Sequence, residues 1–383
     1  MIYLDNAATT KMLDLVKKEY IEKLDNFFNP SSQYRPAVEL KKDIDKQREI
    51  ILKKINAKQG KLIFTSSATE SNNMFVKTVI DDKYDKINIV STKIEHSSIN
   101  NELKFFENKG VDVRYLDVLK DGSVDLDSLH KKIDKNTKIV CISHVNNEIG
   151  TINDIEKISK TIKQINPKTY ILVDGVQAVG KIPVDLSKYK IDGYSFCSHK
   201  IHGPKGIAAL YLSNRINSNT IMQGGKQELE LRPGTENYAA IKAFSKAVTY
   251  SVDNLEKHYQ KTKKLKNIFI DNIKQNLLNF NIIQSEKISP YICNLNIKNI
   301  KSEVLVRMLG DQQIYINTGS SCSTKSKNKN RVIKEVLDLD KKYLEGTIRI
   351  SFGLLNTEQE IQSASESIIQ NIKKLRLIVN NRG

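Results

Sequence analysis

The sequence has 383 residues, of which 39% are hydrophobic and 27% are charged, and its formal net charge is +17. A chain of this length and composition can bury a large core, which excludes disorder along its whole length and predicts two domains or one large and one small domain. The basic charge comes from scattered lysines rather than a dense block. We therefore favour a solvated lysine-rich surface over a face for RNA or an acidic protein, and we do not expect direct binding of nucleic acid.

The N-terminal segment MIYLDNAATTKM has no basic stretch followed by an apolar run, so we expect no signal peptide. No apolar run approaches the ~20 residues that a membrane-spanning helix needs. The four cysteines are Cys141, Cys197, Cys293 and Cys322. They include no CxxC pair and no Cys/His cluster with the spacing of zinc ligands, which argues against a disulfide framework and a zinc site. We expect a cytoplasmic protein with no membrane anchor and no bound metal.

Short apolar runs alternate with lysine-rich helical patterns over the first two thirds of the chain. We predict a helix at 154–165 and buried parallel strands at 61–66, 86–92, 138–145, 170–175, 193–198 and 207–212. This alternation predicts an α/β domain with a mainly parallel sheet, in which ligands bind beyond the carboxyl ends of the strands.

The pattern changes after about residue 250. Helical periodicity covers 252–278, strand-like runs follow at 288–297 and 346–353, and a last helix is predicted at 357–375. We therefore predict a large domain over 15–250 and a smaller α+β domain made of 1–14 and 251–383.

Polar segments follow the predicted strands of the large domain. FTSSATESNN (64–73) leads into a helical pattern, where backbone N–H groups could cradle a phosphate, although Ser and Thr are also ordinary N-cap residues. IEHSS (94–98) places His96 after the next strand, where its ring could stack on a cofactor, transfer a proton or simply belong to a polar loop. HVNNEIG (144–150) ends its strand in two amides that could bind a substrate carboxylate.

Two further strand ends carry a carboxylate and a lysine. Asp174 ends an apolar strand, with Gln177 three residues later. A buried carboxylate needs a donor partner, which a protonated pyridine nitrogen would supply, and capping of the next helix explains this Asp equally well. Lys200 follows the strand at 193–198 and precedes the turn GPKG. A lysine fixed there can form a covalent C=N bond with an aldehyde cofactor, although an arbitrary lysine is more often a surface residue.

Three segments of the C-terminal half carry chemically distinctive residues. LRPGTEN (231–237) combines an arginine and a rigid turn with Thr235, and TIRISFG places Arg349 inside an apolar run. A buried arginine needs an anionic partner, and a substrate carboxylate fits its planar fork. Cys322 lies among small and hydroxylic residues in NTGSSCSTKSKNKN (317–330), which we interpret as a mobile, exposed loop.

In this order, the segments resemble the NifS/IscS-like cysteine desulfurases, a branch of the class V aminotransferases with the fold-type I architecture of pyridoxal 5′-phosphate (PLP) enzymes. The resemblance spans residues 2 to about 360 and rests on YLDNAATT, NPSS, FTSSATESNN, EHSS, HVNNEIGT, VDGVQAVGK, SHKIHGPKGI, RPGTEN, TGSSCS and IRISFG. It implies a large domain with a mainly parallel seven-stranded sheet, a smaller α+β domain and release of L-alanine from L-cysteine. A selenocysteine lyase or another class V PLP enzyme is the alternative.

The resemblance implies a role for each catalytic residue. Lys200 would carry PLP and move the Cα proton, and His96 would stack on the ring and assist proton transfer. Asp174 would pair with the pyridinium nitrogen and Gln177 would contact the ring hydroxyl. Cys322 would be the nucleophile that takes the sulfur as a persulfide.

Other implied contacts hold the charged ends of the ligands. The implied cofactor-binding set, including the phosphate contacts, is completed by Ala68, Thr69, Asn147, Cys197, His199 and Thr235. Thr235 would come from the second subunit of a homodimer, while Asn147 and Arg349 would hold the substrate carboxylate. The persulfide sulfur would pass to an acceptor protein, either an iron–sulfur scaffold or a tRNA-thiolating enzyme.

The sequence departs from the family pattern at three positions. Cys197 stands where the family usually has a phosphate-binding Ser, so that one phosphate contact is in doubt unless Ser198 substitutes for it. Tyr34 stands where the family has His, and Ser67 stands where it has Gly. None of these positions is the implied lysine, aspartate or nucleophilic cysteine.

Overall fold

A computed structural model describes residues 1–80, 86–216, 222–319, 330–337 and 339–380. The strands are β1 (Ile2–Tyr3), β2 (Lys61–Thr65), β3 (Asn88–Thr92), β4 (Asp112–Leu116), β5 (Thr137–Ser143), β6 (Tyr170–Asp174), β7 (Gly193–Cys197), β8 (Ala208–Leu212), β9 (Phe280–Ile282), β10 (Ile292–Ile297), β11 (Ile314–Tyr315), β12 (Asn317–Thr318) and β13 (Thr347–Ser351). The helices are α1 (Asp14–Glu22), α2 (Arg35–Lys54), α3 (Ala68–Val79), α4 (Ser97–Glu107), α5 (Leu126–Lys132), α6 (Ile155–Ile165), α7 (Gln227–Glu230), α8 (Tyr238–Asp253), α9 (Leu255–Asn276), α10 (Ser302–Asp311), α11 (Arg331–Val336), α12 (Lys341–Leu344) and α13 (Glu358–Asn380). None of these helices is both long and apolar enough to cross a membrane.

Within the described residues, seven strands form one sheet in the order β2-β8-β7-β6-β5-β3-β4. The run from β7 to β4 is parallel, which confirms the predicted mainly parallel sheet. β8 is antiparallel to both β2 and β7, so the prediction of parallel pairing for 61–66 and 207–212 is wrong. The connection from β7 to β8 is too short for the crossover that a parallel pair needs. β4 was not predicted because the charged residues Asp112 and Arg114 interrupt its apolar pattern.

Both faces of this sheet are covered by helices, which explains why its strands are apolar at successive positions. Ile171 and Val173 of β6 pack on the face covered by α2, α6 and α8. Leu172, between them, packs on the opposite face against α3 and α4. The strands therefore alternate between two buried layers, and their carboxyl ends form one edge where polar loops meet.

A second core lies around the antiparallel sheet β12-β13-β10-β9. Helices α9, α10 and α13 bury residues such as Phe269, Leu305 and Ile361 against it. The N-terminal segment joins this part, because β1 pairs parallel with β11 and Leu4 packs in the same cluster. Helix α8 packs in the first core and α9 in the second, so we propose that the predicted domains, 15–250 and 1–14 with 251–383, meet near the α8–α9 junction.

Residues 4–10 run between the two sheets and connect the loop after β7 with β13. The N–H of Thr10 donates to the carbonyl of His199 at 2.9 Å, and the N–H of Ser351 donates to the carbonyl of Leu4 at 2.7 Å. This segment therefore brings the loop after β7 close to β13, and the two parts of the chain share one cavity there.

Candidate active site

A cavity of about 270 Å³ lies at the carboxyl ends of the parallel strands, between the two sheets. The predicted site residues that line it are Ala68, Thr69, His96, Asn147, Asp174, Gln177, Cys197, His199, Lys200 and Arg349. Thr235 is exposed and lies outside this lining. Cys322 lies outside the described residues.

Lys200 enters the cavity from a single 3₁₀ turn, Ser198–Lys200, directly after β7. Its Nζ donates to the backbone carbonyls of Ala7 and Ala8, at 2.6 Å each. Burial lowers the pKa of Lys200 below its ordinary value. The fixed position suits an amine that attacks a carbonyl carbon, and the lowered pKa makes loss of its proton easier than for a free lysine.

Asp174 is buried at the carboxyl end of β6. One carboxylate oxygen accepts from the backbone N–H of Val176 at 3.0 Å, and the other accepts from Nδ2 of Asn72 at 3.1 Å. Asp174 therefore caps a turn rather than the helix that one interpretation predicted, and it lines the cavity, as the other interpretation requires. Its carboxylate keeps lone pairs for a cationic N–H group of a ligand.

His96 is the N-cap residue of α4. Its Nδ1 accepts from the backbone N–H of Ser98 at 3.1 Å, so the proton of the neutral ring belongs on Nε2. Burial lowers the pKa of His96, and the positive charge of Lys200 lowers it further, whereas Asp174 acts in the opposite direction. A neutral imidazole can stack on an aromatic ring and take part in proton transfer.

Gln177 is held with its amide in one orientation. Its Oε1 accepts from Nζ of the buried Lys181 at 2.6 Å, and its Nε2 donates to the carbonyl of Ala7 at 2.9 Å. The amide nitrogen keeps a second hydrogen, so Gln177 is set to donate to a ring oxygen in the cavity. Burial, aided by the charge of Lys200, lowers the pKa of Lys181 to about 7.

The end of the cavity nearest α3 is suited to a phosphate. Ser67 caps the helix by accepting from the N–H of Glu70 at 3.2 Å, and the first-turn N–H groups at Ala68 and Thr69 have no partner inside the helix. Such groups, with the positive end of the helix dipole, bind anions. Ser67 thus keeps the helix start intact at a position where the family has Gly.

Cys197 lines this end of the cavity, whereas Ser198 does not. Burial raises the pKa of Cys197 to about 11, so it stays a neutral thiol and a weak donor. Among the described residues, Oγ of Ser198 is buried and has no hydrogen-bond partner, and a Cβ added at Gly203 would lie only 2.0 Å from it. The side chain of Ser198 faces Gly203 rather than the cavity, which argues against its substituting for the missing serine.

Arg349 projects from β13 at the other end of the cavity. Its Nη1 donates to the backbone carbonyl of Asn147 at 2.9 Å and its Nη2 to Oδ1 of Asp5 at 2.8 Å. The remaining nitrogen, Nε, is buried and has no partner among the described residues. A substrate carboxylate would satisfy this donor.

Three supporting residues were missed by the sequence analysis although they lie inside motifs that it quotes. Asp5 is in YLDNAATT, Asn72 is in FTSSATESNN and Lys181 is in VDGVQAVGK. Their roles depend on which side chain each one meets, which spacing along the chain does not reveal.

The residues present fit PLP. A buried lysine amine, a buried carboxylate and a helix N-terminus line one cavity, and they match the aldehyde, pyridine nitrogen and phosphate of that cofactor.

Comparison with known proteins gives consistent relatives. The family model "Aminotransferase class-V" matches residues 2–363. The sequence is 34% identical to cysteine desulfurase IscS of Dictyoglomus turgidum, over 98% of this chain and 96% of that protein. It is 36% identical to cysteine desulfurase IscS of Buchnera aphidicola subsp. Acyrthosiphon pisum, over 98% of this chain and 93% of that protein.

Solved structures with the same fold include proteins described as NifS-like. One superposes with a TM-score of 0.90 at 32% identity, covering 97% of this chain and 99% of that chain. The NifS-like protein from Rickettsia africae superposes with a TM-score of 0.85 at 29% identity, covering 98% of this chain and 99% of that chain.

Proposed function

This chain belongs to the class-V aminotransferase family and to its cysteine desulfurase branch, and we propose that it uses PLP to take the sulfur from L-cysteine. The products are L-alanine and a persulfide on Cys322. The observation that carries the proposal is the convergence of Lys200, Asp174 and Arg349 on one cavity. These residues supply an amine for the cofactor, a carboxylate for its ring and a guanidinium for an amino acid.

The chain's own residues bind and orient the reactants. PLP, when bound, supplies an electron sink that stabilises negative charge at the substrate Cα. Asp174 would hold a proton on the ring nitrogen of the cofactor, and Gln177 would donate to its ring oxygen. Arg349 and Asn147 hold the substrate carboxylate at the opposite end of the cavity, which fixes the Cα–H bond relative to Lys200.

Proton movement is assigned to Lys200 and His96. Lys200 takes the Cα proton as the general base, and burial lowers the pKa of both Lys200 and His96 below their ordinary values. The thiolate of Cys322 then attacks the substrate sulfur. The S–S bond forms as the Cβ–S bond breaks, the electron pair stays with the substrate carbon, and a proton at Cβ completes L-alanine. Atoms and electrons balance between the reactants, L-cysteine and the thiol of Cys322, and the products, L-alanine and the persulfide. No external oxidant or reductant is needed.

The test is spectroscopic and chemical. Wild-type protein supplied with PLP should show the visible absorption of the covalently bound cofactor, and Lys200→Ala should lose it. Cys322→Ser should still change the spectrum on addition of L-cysteine but should release no sulfide with dithiothreitol. Absence of the covalent cofactor in the wild type would refute the enzyme assignment, and full activity of Cys322→Ser would remove Cys322 as sulfur acceptor. Faster turnover of selenocysteine than of cysteine would favour a selenocysteine lyase.

We propose that the active enzyme is a homodimer in which Thr235 completes the phosphate site of the partner subunit. Thr235 is exposed, and its segment is tied to residues 27–34 through Gln227. Oε1 of Gln227 accepts from the N–H of Gly234 at 3.1 Å, and its Nε2 lies 3.3 Å from Oγ of Ser31. The adjoining aromatic residue Phe27 is 82% exposed, which is expected of a surface that another chain covers.

Mixing two inactive variants tests this arrangement. A mixed dimer of Lys200→Ala and Thr235→Ala chains contains one fully intact site if Thr235 acts across the interface, and no intact site if it acts within its own chain. Recovery of tight PLP binding in half of the sites is the expected result. Monomeric wild-type protein by light scattering, or no recovery, would overturn the dimer proposal.

We also propose a cytoplasmic setting and a protein acceptor for the persulfide sulfur. A reaction that uses a free cysteine thiol needs a reducing compartment. Cys141, Cys197 and Cys293 are also free cysteines, and all three are buried. The acceptor is an iron–sulfur scaffold or a tRNA-thiolating enzyme. A pull-down with a persulfide-trapping reagent identifies which class receives the sulfur.

A further inference from the structure

Asp5 uses both oxygens of its carboxylate to join two residues of the second sheet. Oδ1 accepts from Nη2 of Arg349 at 2.8 Å, and Oδ2 accepts from Nδ2 of Asn317 at 2.8 Å. The side chain of Arg349 is 4% exposed and that of Asp5 is 17% exposed, so solvent screens this ion pair only weakly.

The backbone fixes the same three residues. Asn317 of β12 lies opposite Arg349 of β13 in antiparallel register. Asp5 bridges Ser351 on the same strand, and the hydroxyl of Tyr3 donates to the carbonyl of Asp5 at 3.1 Å. The contacts of the carboxylate are therefore determined by strand pairing and are not those of a free surface side chain.

The two ends of this bridge face different parts of the reaction. Arg349 lines the cavity, with its buried Nε still without a partner. Asn317 belongs to the strand β12, which ends at Thr318, only four residues before Cys322 in the sequence.

We propose that Asp5 is a positioning residue that fixes the arginine clamp for the substrate carboxylate and ties this clamp to the strand that leads to the thiol-bearing segment. The inference rests on the proposed desulfurase function and deepens it. The clamp is set before substrate arrives, because Asp5 and the Asn147 carbonyl already hold two of its three nitrogens. Cysteine therefore does not have to order the guanidinium when it binds.

The chemistry of the bridge allows a rescue experiment. A carboxylate accepts on both oxygens, whereas an amide accepts on one side and donates on the other. In Asp5→Asn the amide can still accept from Arg349, but its NH₂ then faces the NH₂ of Asn317. The double variant Asp5→Asn/Asn317→Asp restores one donor and one acceptor to that contact and keeps the net charge of the wild type.

Ligand binding to the PLP-loaded protein provides the readout. Titration with L-alanine, followed by the change in cofactor absorption, should give a dissociation constant about tenfold higher for Asp5→Asn than for wild type. Cysteamine has the amine and thiol but no carboxylate, so its dissociation constant should not change. The double variant should recover most of the L-alanine affinity. Asp253→Asn, which alters an exposed ion pair with Lys54, is the matched control and should behave as wild type.

Mass spectrometry of Cys322 after one turnover measures the other end of the bridge. Persulfide should form more slowly in Asp5→Asn, even at saturating cysteine, and recover in the double variant. Wild-type affinity of Asp5→Asn for L-alanine, an equal loss for cysteamine, or a double variant no better than the single one would overturn the inference. An inactive wild type would instead refute the proposed function, so the two failures are distinguishable.

Discussion

The two ends of the cavity balance charge in different ways. At the cofactor end, the hydrogen bonds found for Lys200, Asp174 and Lys181 among the described residues go to neutral groups, namely backbone and amide atoms. At the carboxylate end, Arg349 is already paired with the carboxylate of Asp5. At the cofactor end, a bound ligand must therefore supply the charged partners. At the carboxylate end, the protein itself supplies a charged partner for Arg349.

This difference predicts different kinetic effects. Changes at the cofactor end should alter cofactor binding and kcat, since the charges there act on the group that reacts. Removal of the guanidinium itself at the carboxylate end should alter mainly KM, since it would bind a part of the substrate that does not react.

The largest effect is expected for Asp174→Asn. The variant removes the negative charge proposed to hold a proton on the ring nitrogen, and it sets an amide NH₂ against Asn72 or the N–H of Val176. We expect kcat to fall by about 10³-fold, the loss typical of a group that stabilises developing charge. Stopped-flow measurement of alanine release checks this, and a change confined to KM would contradict the division between the two ends.

A smaller effect, on KM rather than on kcat, is expected for Arg349→Ala. The substrate carboxylate loses its charged partner, and kcat/KM should fall by about 100-fold, the lower range for removing one side of a buried charge pair. Affinity for PLP, measured by fluorescence quenching, should stay within about twofold of wild type. Loss of PLP binding in this variant would show that the two ends are not separable.

The sequence predicted the cofactor end better than the carboxylate end, for a physical reason. Residues such as Asp174 and Lys200 lie at the carboxyl ends of parallel strands in one sheet. Because these ends lie at the same edge of the sheet, the apolar pattern alone predicts that such residues are close together. The Arg349–Asp5 pair instead joins positions 344 residues apart through β13 and the N-terminal segment. Spacing along the chain predicted that Arg349 needs an anion but not that Asp5 is one of its partners.

The fold shows the same difference between elements that local sequence patterns predict and pairings that depend on distant residues. Strand β6 and helix α6 were expected from periodicity at nearly the observed bounds. β8 has the same apolar pattern as its parallel neighbours, and its reversed direction depends on the length of the loop before it. The short strands β1 and β11 pair across almost the whole chain, and their sequences carry no local signal for it.

The variant Lys181→Met tests whether Lys181 loses its proton on folding. The readout is the dependence of protein stability on pH. Burial lowers the pKa of Lys181 to about 7 in the folded protein, so the unfolded chain holds this proton over the range from about pH 7 to about pH 10 and the folded chain does not. The wild type should therefore lose stability as pH falls through this window, and the variant should lose less. In thermal unfolding of the cofactor-free proteins, the quantity of interest is the Tm of the variant minus the Tm of the wild type. This difference should be higher at pH 7 than at pH 10 by about 2 °C or more.

The matched variant Lys181→Arg stays protonated in both the folded and the unfolded chain over this window, so it too should lack the pH-dependent loss of stability. A constant Tm difference for Lys181→Met across this window would mean that the lysine keeps its proton on folding. The amide of Gln177 would then be oriented by a charged ammonium group rather than by a neutral amine.

The smallest effect concerns the phosphate site, where Cys197 takes the place of the serine expected from the family. A thiol is a weak donor, and with a pKa raised to about 11 it stays protonated and neutral at working pH. Cys197→Ser should tighten PLP binding by about threefold, the gain from one modest hydrogen bond. The control Cys141→Ser alters a buried thiol of β5 that does not line the cavity, and it should not tighten binding. Unchanged affinity in Cys197→Ser would show that the N-terminus of α3 and His199 already supply enough hydrogen bonds to the phosphate. The cofactor end would then need no further donor at position 197.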